Sequence, residues 1–470
     1  MVEQLRISPV AGELAGRFAA AGHSLYLVGG SVRDALLGRL GNDLDFTTDA
    51  RPEEVQPILA RWTDAVWDIG IAFGTIGASK GGVTVEVTTF RADSYDRVSR
   101  NPEVRFGDSI VDDLVRRDFT VNAMAIDLST KQFIDPHGGL KALADRLLDT
   151  PAAPEESFAD DPLRLMRAAR FVSQLGFRPA PRVVAAMTAM SEQITRITPE
   201  RVQAELSKLL CGARPRVGVE LMVDTGLADH MLPEVPAMRL EIDEHHQHKD
   251  VYQHSLVVLD QAIALEEPGA EPDLALRLAA LLHDIGKPDT RRHIPGGGVS
   301  FHHHEVVGAK MARRRLRALR YSKEIIDEVS TLVYLHLRFH GYGRGEWTDS
   351  AVRRYVTDAG PLLSRLHKLV RADCTTRNRR KAAALQRTYD ELEERIARIA
   401  AEEDLARVRP DLDGNEIMRL LGIPPGPLVG QAWKHLKELR LDRGPLEHDE
   451  AVAELMSWAA ERGITPPSAG

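Results

Sequence analysis

The spacing of apolar positions changes character once along the chain. Before about residue 140 the pattern is short and alternating. Val83-Thr84-Val85-Glu86-Val87-Thr88 repeats every second position, which predicts a strand that turns Val83, Val85 and Val87 towards a core and Glu86 to the other face. Leu25–Val28 predicts another strand, entering a Gly29-Gly30 turn. After it, Ser31 is expected to cap a helix that runs to Leu37 and ends at Gly38. Further on the alternation nearly vanishes, and long segments rich in Ala, Leu, Arg and Glu predict helices to the end. The expected class is α+β: an N-terminal mixed α/β head with a small, antiparallel-type sheet, followed by all-α domains.

A chain of 470 residues exceeds one ordinary core, and at roughly 150 residues per domain it implies several units. Loop-forming stretches stand at Pro151-Ala152-Ala153-Pro154, Glu241–Lys249, Glu266–Pro272 and Pro424-Pro425-Gly426-Pro427. The expected divisions are a head at 1–145, a helical neck and body at 146–245, a third domain at 246–385 and a helical tail region at 386–470. No apolar run is long enough to span a bilayer, and Met1-Val2-Glu3-Gln4-Leu5-Arg6 lacks a basic region followed by an apolar core. Cys211 and Cys374 cannot make a disulfide framework and fit a reducing compartment, so a cytoplasmic protein without membrane contact is expected. Oligomeric state is not legible.

The net charge of −8 argues against a non-specific nucleic-acid coat, because phosphate binding needs many Lys and Arg. Two local runs stand out: Arg313, Arg314, Arg315, Arg317 and Arg320, then Arg377, Arg379, Arg380 and Lys381. Each fits a solvated helix face as well as an RNA contact.

In Asp43-Leu44-Asp45 the two acids are two positions apart, so on a strand both leave one face, separated by about two rises of 3.3 Å. That spacing suits two Mg²⁺ ions about 3.5–4 Å apart, one activating a hydroxyl and one clamping a triphosphate. Gly29-Gly30 at a helix start offers bare N–H groups to a phosphate, with Arg33 one turn in. Glu86 would add a third carboxylate or a base, and equally fits a solvated strand residue. Arg116, Arg117, Asp118 and Asn122 combine cations for triphosphate oxygens with groups for ribose hydroxyls; a helix start with unrelated charges is the alternative.

Asp160-Asp161-Pro162-Leu163-Arg164 is expected to open a helix that continues through Arg167 and Arg170-Phe171. On it, Asp161 and Arg164 face one ligand from positions i and i+3. Cytosine and adenine present an amino donor beside a ring-nitrogen acceptor, which a carboxylate plus a guanidinium complements. Uracil and guanine present the reverse order, so such a pair could choose CTP and ATP without a nucleic-acid template. An ordinary intrahelical ion pair is the competing meaning of this spacing.

Taken in order, G-G-x-V-R-D, D-x-D, R-R-D-F-T-x-N-A, D-P-x-x-G at Asp135–Gly139 and D-D-x-x-R resemble the class II tRNA nucleotidyltransferase and bacterial poly(A) polymerase family over roughly residues 20–240. The resemblance implies a nucleotidyltransferase head in which Asp43 and Asp45 ligate Mg²⁺. Arg117 and Asp118 would hold triphosphate and ribose, Asp161 and Arg164 would serve as an amino-acid template, and Arg167 would line the same site. It also implies CCA addition to tRNA from CTP and ATP. Poly(A) polymerase is the rival within the family, disfavoured because Leu441–Gly470 is not basic. Thr198-Pro199-Glu200-Arg201, Glu205 and Lys208 are similar to the family's last helical motif. Asp160 stands where the family usually has Glu, and Arg91–Phe106 looks like its flexible loop, of full length.

A second constellation follows. His254, His283-Asp284, His304, His336, His340 and Asp373 belong to a chain with 17 histidines, most of them between His245 and His340. Histidines and carboxylates on several helices can gather one or two metal ions. The His-Asp pair resembles the HD phosphohydrolase superfamily over roughly residues 250–375, which implies a divalent-metal site of unknown ion. Hydrolysis of phosphomonoesters or 2′,3′-cyclic phosphates at RNA ends would follow, either as a side activity or as the chain's main one; a role in holding the tRNA body is the alternative. Whether His336 or His340 is the ligand stays open.

Overall fold

The computed structural model describes residues 9–39, 41–67, 74–90, 106–239, 250–295, 299–341, 347–375, 378–403 and 408–465. Nearly all of Arg91–Phe106, the stretch Glu241–Lys249, Arg377 and the side chains of His340 and Arg379 lie outside the described residues. Two compact units divide between Pro233 and Glu234.

The first unit holds α1 (Pro9–Ala20), α2 (Gly29–Leu36), α3 (Pro52–Ala60), α4 (Ile110–Val115) and α5 (Gly139–Asp145) around a seven-stranded sheet. Its strands are β1 (Leu25–Val28), β2 (Asp43–Thr48), β3 (Ala65–Trp67), β4 (Thr75–Lys80), β5 (Val83–Thr89), β6 (Ala125–Asp127) and β7 (Phe133–Ile134), in the spatial order β3-β4-β5-β2-β1-β6-β7. The strand period of two sends Leu44, Phe46, Val85 and Val87 into a core shared with Leu14 and Phe18 of α1 and Val55 and Leu59 of α3. Each such side chain removed from water contributes about 1.5–3 kcal/mol before the entropy cost of ordering it.

Two details differ from expectation. The sheet is mixed: β2 and β5 run parallel, while the other neighbouring pairs are antiparallel. A parallel pair needs a long crossover, which α3, β3 and β4 provide. Ser31 does not cap α2 either. The helix begins at Gly29 with Val28 in the cap position, and the Ser31 hydroxyl accepts a hydrogen bond from the Asp45 N–H at 2.9 Å. Gly38, with a φ of 73°, ends the helix as expected.

The rest of the unit is helical: α6 (Pro154–Asp160), α7 (Leu163–Leu175), α8 (Pro181–Met190), α9 (Pro199–Leu210), α10 (Pro215–Asp224) and α11 (Leu227–Met231), with a small β8 (Leu147–Leu148) and β9 (Arg178–Pro179) pair. The expected helix opening at Asp160 is two helices. Asp160 ends α6, Asp161 is extended with φ −137° and ψ 99°, and Pro162 precedes α7. Proline sterically disfavours helical backbone in the residue before it, which places the break at Asp161.

The second unit contains α12 (Val251–Ala264), α13 (Leu274–Leu282), α14 (Lys287–Thr290), a hairpin of β10 (Arg292–His293) and β11 (Val299–Ser300), α15 (His304–Ala318), α16 (Lys323–Leu335), α17 (Asp349–Ala359), α18 (Leu363–Asp373) and α19 (Arg379–Glu402). Residues Ala275–Leu282 of α13 are all buried, so this helix is the centre on which α12, α16 and α18 pack. The anticipated boundary between 385 and 386 falls inside the continuous α19. After it, α20 (Gly414–Leu421), α21 (Pro427–Arg443) and α22 (His448–Glu461) gather a separate core around Leu421, Leu436, Leu455 and Trp458. Among the described residues no helix is long and apolar enough to cross a membrane.

Candidate functional site

Alternation along β2 sends Asp43 and Asp45 to the face opposite Leu44 and Phe46. The parallel register sets Glu86 of β5 beside Asp45, so three acids share that face. Gly29 brings its backbone close to them: with a φ of 68°, a Cβ there would lie 2.9 Å from Arg117 Nη1 and 3.8 Å from Asp45 Oδ2. Only glycine adopts that backbone without strain and leaves room for the guanidinium. Desolvation pushes the Asp45 carboxyl above its ordinary value; Arg117 and Arg33 oppose this, while Glu86 and Asp43 add to it. An oxygen-rich patch of mutually repelling acids fits a hard divalent cation, which Asp43 and Asp45, with Glu86 beside them, would hold.

Arg33 is held within the fold beside Gly30. It is buried, donates to both Asp34 oxygens at 2.9 Å and to Asn122 Oδ1 at 2.7 Å, and lies over the Phe171 ring. Asp118 is equally engaged. Its Oδ1 accepts from the Phe119 N–H at 2.8 Å and from Asn122 Nδ2 at 2.9 Å, and its Oδ2 accepts two hydrogen bonds from Arg167. Burial alone would raise the Asp118 pKa, but the Arg167 charge and the hydrogen bonds from Asn122 and Arg167 hold it well below the usual carboxylate range. Asp118 and Asn122 thus join the head to α7, and Asp118 also lines the cavity beside that joint.

Beside this joint lies a cavity of about 330 Å³ lined by Arg116, Arg117, Asp161, Arg164, Arg167 and Arg201, among others. The two residues singled out on spacing share it despite the helix break. They are not paired with each other: Asp161 Oδ2 accepts from Arg201 at 3.2 Å, and Arg164 donates to Ser157 Oγ at 2.8 Å and to the Arg116 carbonyl at 2.7 Å. Asp161 Oδ1 also accepts from the Leu163 N–H at 3.1 Å, closing the first turn of α7. Glu205, buried on α9, sits 2.7 Å from Arg170 and 3.9 Å from Arg167. Sequence reasoning missed Ser157 and Asp113, the latter 3.1 Å from Arg117. The i, i+4 spacing of Asp113 and Arg117 was a signal for that pair; nothing local marked Ser157.

In the second unit, ligand atoms of His254, His283 and Asp373 lie within 4.8 Å of one another, as do those of Asp284, His304 and His336. The two triads adjoin: His283 Nε2 is 3.3 Å from His254 Nε2 and 3.2 Å from Asp284 Oδ2. His283, His304 and His336 each place Nδ1 2.6–2.9 Å from the carbonyl of Ala280, Phe301 and Val333 respectively. A carbonyl only accepts, so Nδ1 carries the proton and Nε2 is aimed bare at the centre, the usual device for orienting metal ligands. Among the described residues, buried His336 Nε2, 3.9 Å from Asp284 Oδ1, has no hydrogen-bond partner. That orphaned nitrogen fits a metal ion, and so do the six donors together. His336 occupies the centre, and the side chain of His340 lies outside the described residues.

The comparisons with known proteins cover both units of the chain. Residues 25–149 match the Poly A polymerase head domain, residues 176–238 the probable RNA and SrmB-binding site of polymerase A, and residues 251–401 the HD domain. An A-adding tRNA nucleotidyltransferase of Deinococcus radiodurans is 33% identical over 442 residues, 93% of this chain and 95% of that one. A CCA-adding enzyme of Anoxybacillus flavithermus is 29% identical over 439 residues, 93% of each chain. The crystal structure of the Bacillus stearothermophilus CCA-adding enzyme in complex with CTP matches with a TM-score of 0.69 at 26% identity, covering 97% of this chain and 99% of that one. With the Deinococcus relative 33% identical over 93% of this chain, and with a Poly A polymerase head match in its first half, the chain belongs to the tRNA nucleotidyltransferase family and carries an HD domain in its second half.

Proposed function

We propose that the chain completes the 3′ end of tRNA in the cytoplasm by adding C, C and A from CTP and ATP, without a nucleic-acid template. The observation that carries this reading is the cavity in which Asp161 and Arg164 lie together beside Arg116 and Arg117. The arginines neutralise the triphosphate, and the Gly29 and Gly30 backbone lets it approach the carboxylates. Asp161 accepts the amino hydrogen of cytosine or adenine, and Arg164 donates to the neighbouring ring nitrogen. Uracil and guanine leave those groups facing like partners. Mg²⁺ held by Asp43 and Asp45 would supply activation of the hydroxyl and charge neutralisation at the phosphates. The tRNA 3′-oxygen attacks the α-phosphate, the bond to the β-phosphate breaks, and pyrophosphate leaves. Asp118 and Asn122 keep the base-reading helix seated on the head, and Asp118 lines the cavity in which the nucleotide would lie.

The test is incubation of the purified chain with tRNA ending before C, C or A, with each nucleoside triphosphate singly and together. Ordered addition of C, C and A is expected. Long A tracts would make it a poly(A) polymerase. Addition of A alone, and only to tRNA ending in CC, would align it with the A-adding relative.

A second reading concerns the HD centre, favoured by its two adjoining triads. His254, His283 and Asp373 would hold one divalent ion and Asp284, His304 and His336 another, for hydrolysis of phosphoesters at RNA ends. Release of phosphate from 3′-phosphorylated or 2′,3′-cyclic ends across a series of divalent ions is the expected result. No hydrolysis with any ion would refute it.

A further inference from the structure

Arg164 enters the cavity already held. Its Nη1 donates to the Ser157 hydroxyl at 2.8 Å and to the Ser157 carbonyl at 3.3 Å, and its Nη2 donates to the Arg116 carbonyl at 2.7 Å. Those bonds take both hydrogens of Nη1 and one of Nη2. Among the described residues, Nε–H and the second Nη2 hydrogen have no partner, and these are the donors left for a ligand. The same Ser157 carbonyl accepts the backbone N–H of Asp161 at 3.3 Å. One buried residue, 4% exposed and in the last turns of α6, therefore touches both members of the proposed base-reading pair across the break that Pro162 imposes.

We propose that Ser157 is a positioning residue for nucleotide choice, an inference that rests on the reading of Asp161 and Arg164 as the base-selecting pair. Its hydroxyl fixes the roll of the Arg164 fork, and its carbonyl fixes the backbone from which Asp161 projects, so that carboxylate and donor edge meet a base in one register. A guanidinium has five donors in a rigid plane, and which two face the base depends on how the other three are tied down. Without the hydroxyl, Nη1 keeps a single, longer bond to the carbonyl, and the fork can rotate towards an arrangement that no longer penalises uracil and guanine.

The experiment measures kcat and KM for CTP, UTP, ATP and GTP on tRNA acceptors in the wild type and in Ser157→Ala, Ser157→Thr and Arg164→Ala. For Ser157→Ala the preference for CTP over UTP and for ATP over GTP is expected to fall about tenfold, mainly through higher KM for the correct nucleotides. Ser157→Thr, which keeps a hydroxyl, is expected to retain the preference. A purely structural role would lower all four nucleotides alike; that outcome, an unchanged preference in Ser157→Ala, or a preference as low in Ser157→Thr overturns the proposal. An unchanged preference in Arg164→Ala would instead overturn the reading on which it rests.

Discussion

Gly29 and Gly38 flank α2 with nearly the same left-handed backbone, φ 68° and 73°, yet only one of them faces chemistry. Alanine at either position costs about 1–2 kcal/mol in backbone strain. At Gly38 the added Cβ meets nothing within 4 Å, whereas at Gly29 it lies 2.9 Å from Arg117 Nη1. Melting temperatures of Gly29→Ala and Gly38→Ala should therefore fall by similar amounts, while nucleotide addition falls on the order of 10²-fold in Gly29→Ala alone. Equal activities in the two variants would show that Arg117 does not depend on the bare backbone. Asp118 gives a pH-dependent test. Its folded pKa is depressed, so its contribution is fully present above the ordinary carboxylate value and is lost as pH falls through the folded one. The gap in unfolding free energy between wild type and Asp118→Asn, about 2–3 kcal/mol near neutrality, should narrow as pH drops from about 5 to about 3. A constant gap over that range would mean that the carboxylate charge is not what Arg167 and Asn122 recognise. At this scale Asp43, Asp45, Glu86, Asp161 and Arg164 were legible because side-chain period or motif spacing marks them. Ser157 was not, since the Arg116 carbonyl that completes its clamp on Arg164 is 48 residues from that arginine.

Among elements, α15 shows why a charge run is hard to read from sequence. Four of the five arginines of the basic stretch, Arg313, Arg314, Arg315 and Arg317, lie on it, and the structure sorts them. Arg313 pairs with Asp327 at 2.5 Å, and Arg315 lies 2.8 Å from Glu234, which is buried, while Arg314 and Arg317 face solvent. Periodicity places a residue on a helix face; the acid that meets it, 81 positions away in the case of Glu234, is set by packing. Arg315→Ala is expected to cost about 2–3 kcal/mol by leaving Glu234 buried without its partner. Arg314→Ala should stay within about 0.5 kcal/mol. Urea unfolding of the two variants checks this, and equal costs would mean that the Glu234 pair adds nothing. The same limit applies to the head sheet. Alternation in β5 was readable, but whether it lay parallel or antiparallel to β2 was not, because the direction of pairing depends on the crossover and not on the strand itself.

At the scale of the whole molecule, each unit builds its own site from its own residues: the carboxylates and the base-reading cavity from the first, the two triads from the second. The order of motifs separates the two, since the head motifs precede residue 240 and the His-Asp set begins after residue 250. The boundary expected at 385 falls inside a helix of 24 residues, Arg379–Glu402, which has no proline or glycine to announce where a domain ends. Two self-contained sites predict a double dissociation. Asp43→Asn with Asp45→Asn should reduce CCA addition on the order of 10³-fold while leaving any metal-dependent phosphoester hydrolysis within twofold (about 0.4 kcal/mol) of wild type. Asp284→Asn, which removes the carboxylate common to the contacts of His283, His304 and His336, should do the reverse. Both variants are measured for addition on tRNA acceptors and for phosphate release from cyclic-phosphate RNA ends, with thermal melts to establish that each folds. If Asp284→Asn, folded as well as wild type, lost nucleotide addition, the HD centre would be serving the polymerase reaction itself, and its hydrolytic reading would have to yield to a role in presenting tRNA.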